Sequence, residues 1–197
     1  GNLKENDQKR SAQNAPFFNE SYIMKKQELR NIYKKKRREL SNHTIDKFND
    51  LILINFQKIQ LIFINCVHTY LASLKLVEPD TAKIIRYLAF KNPSLKIVIP
   101  KIDIHSGNMI HYHFVEEAQM IKNEYGIDEP KEGKMVFENE IDVVLLPLLA
   151  FDKKGYRVGY GKGYYDKFLS HCNPHVIKIG LSFFEATIEN VATLDVG

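Results

Sequence analysis

The sequence predicts an α/β protein, a single three-layer α/β/α domain on a mostly parallel central sheet. Three observations predict it. Short continuous apolar runs at Leu61–Val67, Lys96–Pro100 (KIVIP) and Asp142–Leu149 (DVVLLPLL) fit strands buried on both faces. Segments of helical periodicity separate them. The chain has 197 residues, 44% hydrophobic and 26% charged, enough to bury one core without disulfides or metals.

Residues 1–20 are polar and aperiodic, so a disordered N-terminal arm is expected ahead of one domain over 21–197. From Ser21 the pattern turns helical: Ile23, Leu29, Ile32, Tyr33 and Leu40 share a face. Lys25, Lys26, Arg30, Lys34, Lys36, Arg37 and Arg38 make up the other, which reads as mostly solvated. Ser41 and Asn42 interrupt it, and Thr44 is the expected N-cap of a second helix carrying Ile45, Phe48, Leu51, Ile52 and Ile59. The strand 61–67 follows. Asn55, Gln57, Lys58, Gln60 and Asn65 break the apolar region 51–67, which excludes a bilayer span there. Residues 79–91 read as a helix with Pro79 near its start, and 96–100 as a strand. Asn108–Val115 alternates apolar residues with histidines, the pattern of a partly exposed strand. The buried strand 142–149, a helix beginning over Tyr164–Leu169 and a strand over Val176–Phe183 complete the order.

The formal charge is +4 and unevenly placed. Residues 1–50 hold 12 Lys/Arg against 7 Asp/Glu, and residues 51–197 hold 16 against 17. The basic excess suits a polyanion, whether nucleic acid, a polyphosphate or a polyglutamated ligand. The two cysteines, Cys66 and Cys172, form no disulfide framework or zinc spacing. They read as small buried hydrophobes in a reducing compartment, so a cytoplasmic protein without membrane association is expected.

The most informative segment is Leu146–Leu169, LPLLAFDKKGYRVGYGKGYYDKFL. A buried strand leads into glycines at 155, 159, 161 and 163, and a new helix carries Asp166. Such glycines allow positive φ and close backbone approach, and successive N–H groups there form an anion-binding concavity. The helix start adds unpaired N–H groups and a positive dipole end. Lys162 and Arg157 add full charges, Arg157 in bidentate form. Asp166 offers oxygen to a hard cation such as magnesium. Neither G-x-x-x-x-G-K-[ST] nor G-x-G-x-x-G is present, and glycines alone would be consistent with a hairpin or surface loop.

The full string, Pro147, Phe151, Asp152, Gly155, Arg157, Gly159, Gly161, Gly163, Tyr164, Tyr165 and Asp166, resembles the signature of the 5-formyltetrahydrofolate cyclo-ligase family. The resemblance covers about residues 22–195 and is strongest from 143 to 169. Lys26 and Arg30 match the family's helical pair that reaches nucleotide phosphates, and their i,i+4 spacing puts both on one face. Glu78-Pro79-Asp80-Thr81 is similar to the family's E-x-[DE]-T, where the Glu contacts folate; Asp80 or Thr81 would also serve as a helix cap. Pro100-Lys101 stands where the family usually has Pro-Arg. Tyr125–Pro130 is similar to a segment walling the folate pocket. Asp195 matches a late magnesium-holding Asp across a gap. Tyr160 departs from the Arg of many relatives, and the family's segment beyond that late Asp is missing, so the C-terminal end is expected to be truncated.

The resemblance implies an ATP- and magnesium-dependent ligase. Its reaction converts 5-formyltetrahydrofolate to 5,10-methenyltetrahydrofolate through an iminium phosphate, releasing ADP and phosphate. It implies Lys26, Arg30, Arg157, Gly159, Gly161, Lys162, Gly163, Tyr164 and Tyr165 at ATP, and Glu78, Tyr160, Gly161, Lys162, Gly163 and Tyr164 at folate. Arg157, Lys162 and Tyr165 would be catalytic, and Asp166 and Asp195 would hold Mg2+. Tyr165 is either a proton relay or an anchor of its helix to the sheet. The expected partners are small molecules, folate and ATP, with a monomeric protein. The alternative is a non-catalytic RNA- or nucleotide-binding module on the same fold. Against nucleic acid, the basic run lacks the interleaved aromatics of a base-stacking surface.

Overall fold

The computed structural model describes residues 25–115, 118–123, 126–188 and 190–191. The expected arm over 1–20, Tyr125 and Asp195 lie outside the described residues. The elements run α1 (Lys26–Arg38), α2 (Asn42–Gln57), β1 (Cys66–His68), α3 (Ala82–Lys91), β2 (Lys96–Asp103), β3 (Asn108–His113), β4 (Met120–Lys122), β5 (Asp128–Pro130), β6 (Val143–Pro147), β7 (Ala150–Phe151), β8 (Arg157–Val158), α4 (Tyr164–His171) and β9 (Ile177–Leu181). A single 3-10 turn spans Glu138–Glu140.

A five-stranded sheet in the order β3-β2-β1-β6-β9 forms the middle layer. β1 runs parallel to β2 and β6, and β6 parallel to β9; β3 alone returns antiparallel along β2. Two small hairpins, β4-β5 and β7-β8, stand beside it. The alternation of strand side chains builds two cores from one strand. Val143 and Leu145 of β6 join Phe56, Ile84 and Leu88 of α2 and α3 on one face. Val144 and Leu146 join Phe168 of α4 and its C-cap Cys172 on the other. Both cysteines are buried, and burial pushes each thiol up to about 11, which leaves them protonated and inert.

Local chemistry moves several expected boundaries. The N-cap of α2 is Ser41, whose Oγ accepts the Thr44 N–H at 3.2 Å; Thr44 lies in the first turn instead of capping it. α3 begins at Ala82 with Thr81 in the N-cap position but making no side-chain cap bond; the Asp80 carboxylate, one residue earlier, accepts the Ala82 N–H at 2.8 Å, and Pro79 precedes the helix. The apolar run from 61 pairs only from Cys66, because the Asp142 carboxylate accepts the N–H groups of Asn65 and Cys66 and fixes where the ladder begins. Phe63 upstream is 96% exposed with φ 57°, which a strand residue does not adopt.

α1 sits apart from the sheet, over the β7-β8 hairpin. Leu29 and Tyr33 pack against Leu149, Ala150 and Val158. The third member of this inward row is Arg37, 1% exposed, where solvent was expected. The stripe at i, i+4 and i+8 is buried along its whole length, and its last position carries a charge. Among the described residues no helix is long and apolar enough to cross a membrane.

Candidate functional site

A cleft of about 480 Å³ opens where β1, β2 and β6 end. Tyr70 follows β1, Pro100 and Ile102 lie on β2, and Pro147 closes β6; all four line it. Ligands of open parallel sheets bind at these carboxyl ends. α1 forms one wall through Lys26, Arg30 and Lys34, and residues 157–166 form another.

The glycine-rich wall is shaped by two backbone demands. Gly163 caps α4 with φ 74°, a conformation that favours glycine. Gly161 has φ 92°, and a Cβ there would meet Arg30 Cζ at 3.1 Å. A side chain there would be strained by its positive φ and would push the Arg30 guanidinium away by a few tenths of an ångström. Arg30 Nε donates to the Gly159 carbonyl at 3.1 Å, which fastens the cationic helix to the loop. The first turn of α4 faces the same cleft, since Tyr164, Tyr165 and Asp166 all line it.

Charge in the cleft is mostly positive and partly spare. Lys26, Lys34, Lys75 and Lys162 line it, and none makes an ion pair within 4.0 Å among the described residues. The acids are more committed. Glu129, 6% exposed, accepts from Ile102 N–H and Asn123 and ties β5 to β2. Asp128 pairs with Lys122 at 2.8 Å. Asp166 pairs with Arg157 but remains 78% exposed.

The inner wall carries the polar groups that face least water. Glu78 accepts the Ser73 N–H at 2.9 Å, and burial raises its carboxyl above the usual range. The Tyr160 hydroxyl accepts from Arg37 Nη1 at 2.8 Å and couples electrostatically to Glu78. Arg37 Nη2 also donates to the Leu148 carbonyl. The Tyr165 hydroxyl is buried with no hydrogen-bond partner among the described residues, and burial raises its pKa as well. Beneath it His68, His111 and Phe168 cluster, the histidine rings meeting edge-to-face 5.0 Å apart and all four of their ring nitrogens without a hydrogen-bond partner among the described residues.

The structure thus brings to one cleft Lys26, Arg30, Glu78, Arg157, Gly159, Tyr160, Gly161, Lys162, Gly163, Tyr164, Tyr165 and Asp166, every described residue that the resemblance assigns to ATP, folate or magnesium. Asp152 of the same motif does not line it. Its carboxylate, 4% exposed, accepts the N–H groups of Lys154, Tyr156 and Val191 and closes the hairpin turn. Sequence reasoning missed Arg37, Tyr70 and the two histidines. The apolar–His alternation of 108–115 was the one usable signal, because it puts His111 on the inward side of β3.

Could the cleft take magnesium? Among the described residues no cluster of three His, Cys, Asp or Glu exists. Magnesium needs only one or two carboxylates when phosphates and water complete its shell. The exposed Asp166 carboxylate beside the loop fits that minimal role, and binding would draw it from Arg157.

The sheet, the ligand cleft at its strand ends and the cation-rich loop define an α/β enzyme. Residues 22–194 match the 5-formyltetrahydrofolate cyclo-ligase family, and the chain belongs to it, a ligase by class. It is 33% identical over 139 residues to a 5-formyltetrahydrofolate cyclo-ligase of Haemophilus influenzae, covering 61% of this chain and 74% of that one. Among solved structures it resembles the Aquifex aeolicus 5,10-methenyltetrahydrofolate synthetase, with a TM-score of 0.67 and 28% identity, covering 81% of this chain and 78% of that one. The Mycoplasma pneumoniae synthetase shares the fold, with a TM-score of 0.63 and 24% identity over 80% of this chain and 84% of that one.

Proposed function

We propose that the protein converts 5-formyltetrahydrofolate to 5,10-methenyltetrahydrofolate with ATP as co-substrate and magnesium as its counterion. The observation that carries this is the bond from Arg30 to the Gly159 carbonyl, which joins a cationic helix face to a glycine loop at the strand ends. Spare lysines, loop amides and the α4 N-terminus suit a triphosphate, and the less polar wall around Tyr70, Ile102 and Met109 suits a flat ring.

A formamide oxygen is a poor leaving group. In the proposed reaction it attacks the γ-phosphorus, the bond to the bridging oxygen of ADP breaks, and an iminium phosphate forms on the folate. The second folate nitrogen then attacks the activated carbon and loses its proton, and the carbon–oxygen bond breaks to release phosphate. Protein help to phosphoryl transfer is chiefly positioning and charge stabilisation. Lys26, Arg30 and Lys162 hold phosphate oxygens. Arg157, once Asp166 turns away, adds a bidentate donor. Asp166 would hold magnesium, which supplies charge neutralisation when bound. Glu78, Tyr160 and Tyr164 seat the folate. The Tyr165 phenol, kept protonated by burial, passes a proton and does not act as a base. The test is direct: with 5-formyltetrahydrofolate, ATP and magnesium, methenyl absorbance should rise, and leaving out either ATP or magnesium should stop it. A folded sample that gives no methenyl signal rejects the proposal.

A further inference from the structure

Arg37 is the least expected charge in the molecule. It is 1% exposed, does not line the cleft, and caps the inward row of α1. Its guanidinium is anchored on the Leu148 carbonyl and donates to the Tyr160 hydroxyl at 2.8 Å. A hydroxyl whose oxygen accepts from a guanidinium must send its own proton elsewhere. The acceptor beside it is Glu78, which lines the same cleft and couples to it electrostatically. Glu78 accepts the Ser73 N–H at 2.9 Å, so a backbone donor already stands behind a carboxylate whose remaining lone pairs meet the cleft.

We propose that Arg37 and the Tyr160 hydroxyl form a positioning relay that holds Glu78 as a pure hydrogen-bond acceptor, so that the cleft selects the N–H-bearing edge of the folate ring. Arg37 touches no substrate; it acts through Tyr160. The inference rests on the cyclo-ligase reading of the site for its ligand, but not for the relay. The logic is one of direction. Burial favours a neutral Glu78, which would carry its own proton and meet a ligand N–H donor with a donor. The charged group that opposes this is Arg37, while Tyr70, Tyr160 and Tyr165 present neutral phenols to the same carboxylate. Without the tyrosine hydroxyl, Glu78 loses its link to the charge behind it.

The decisive variant is Tyr160→Phe, which keeps the ring and removes only the oxygen. Expected are a rise of about tenfold in the KM for 5-formyltetrahydrofolate, an ATP KM within about twofold, and little change in melting temperature. Carbon-13 NMR titration, with the Glu78 signal assigned against Glu78→Gln, should show the Glu78 carboxyl titrating higher in Tyr160→Phe. Arg37→Met should raise the folate KM likewise, and the double variant should be no worse than Arg37→Met alone. Should Arg37→Met fail to fold, Tyr160→Phe decides by itself. An unchanged Glu78 titration in Tyr160→Phe overturns the relay. So do folate and ATP KM values that rise together. A wild-type protein that turns over no folate sinks the reading of the site instead, and the titration still judges the relay.

Discussion

Asp152 and Asp166 stand at either end of the glycine-rich segment, and their surroundings are opposite. Asp152 is 4% exposed and spends its oxygens on three backbone N–H groups, those of Lys154, Tyr156 and Val191. Asp166 is 78% exposed and, among the described residues, holds only the side chain of Arg157. Both belong to the same motif, so spacing alone assigns them equal weight. The difference teaches that one carboxylate builds the loop and the other is available to work in it.

The strongest way to break that contrast is to remove each acid in turn. Asp166→Ala should lower turnover by about 1,000-fold or more, because charge stabilisation in phosphoryl transfer has no substitute nearby. Its melting temperature should stay within about 2 °C, since exposed ion pairs contribute little. A large loss of stability would make Asp166 a second Asp152. Asp152→Ala should destabilise the fold by about 3 kcal/mol, leaving buried N–H groups without an acceptor. In a chain of this size that lowers the melting temperature by roughly 6–12 °C. A melt unchanged by Asp152→Ala, read by differential scanning calorimetry, would erase the distinction.

The cations sharpen the same comparison at smaller scale. Lys162 lines the cleft with no ion pair among the described residues, whereas Arg157 is already paired. Lys162→Ala should raise the ATP KM by about tenfold with an unchanged melt. An ATP KM that does not move would remove Lys162 from the phosphate wall.

How much of this was legible in the residues follows a physical line. Val143–Leu146 reads as a buried strand because every side chain faces a core, so no register error can hide it. The run from Leu61 misleads for the opposite reason. Apolarity marks residues that prefer to leave water, but the start of β1 is fixed by the Asp142 carboxylate, 76 positions downstream of Cys66. The glycine loop was readable because its positive φ angles admit little else. The basic helix was not. Eight basic residues on α1 and its N-cap look alike in sequence, and whether one turns inward depends on a carbonyl at Leu148 and a hydroxyl at Tyr160, neither visible from local spacing.

His111 completes the comparison as a third kind of group, buried like Asp152 yet unpartnered like Lys162. Among the described residues neither ring nitrogen finds a hydrogen-bond partner, and Glu138 lies 3.7 Å from Nε2. Burial lowers its pKa from 6.5 to about 4, with Glu138 pulling weakly the other way. An unfolded chain therefore takes up the His111 proton first as the pH falls below 6.5, while the folded chain stays neutral until about 4. The stability that depends on a neutral ring is full above this window and is lost as the pH drops through it. His68, driven down by burial and by His111 itself, adds in the same direction. Between pH 8 and pH 6 the His111 share is about 1 kcal/mol, within reach of urea denaturation. His111→Leu should flatten the decline by that amount, and a decline as steep as the wild type's would mean that the ring is charged or hydrated in the folded protein, and so belongs with the satisfied groups like Asp152.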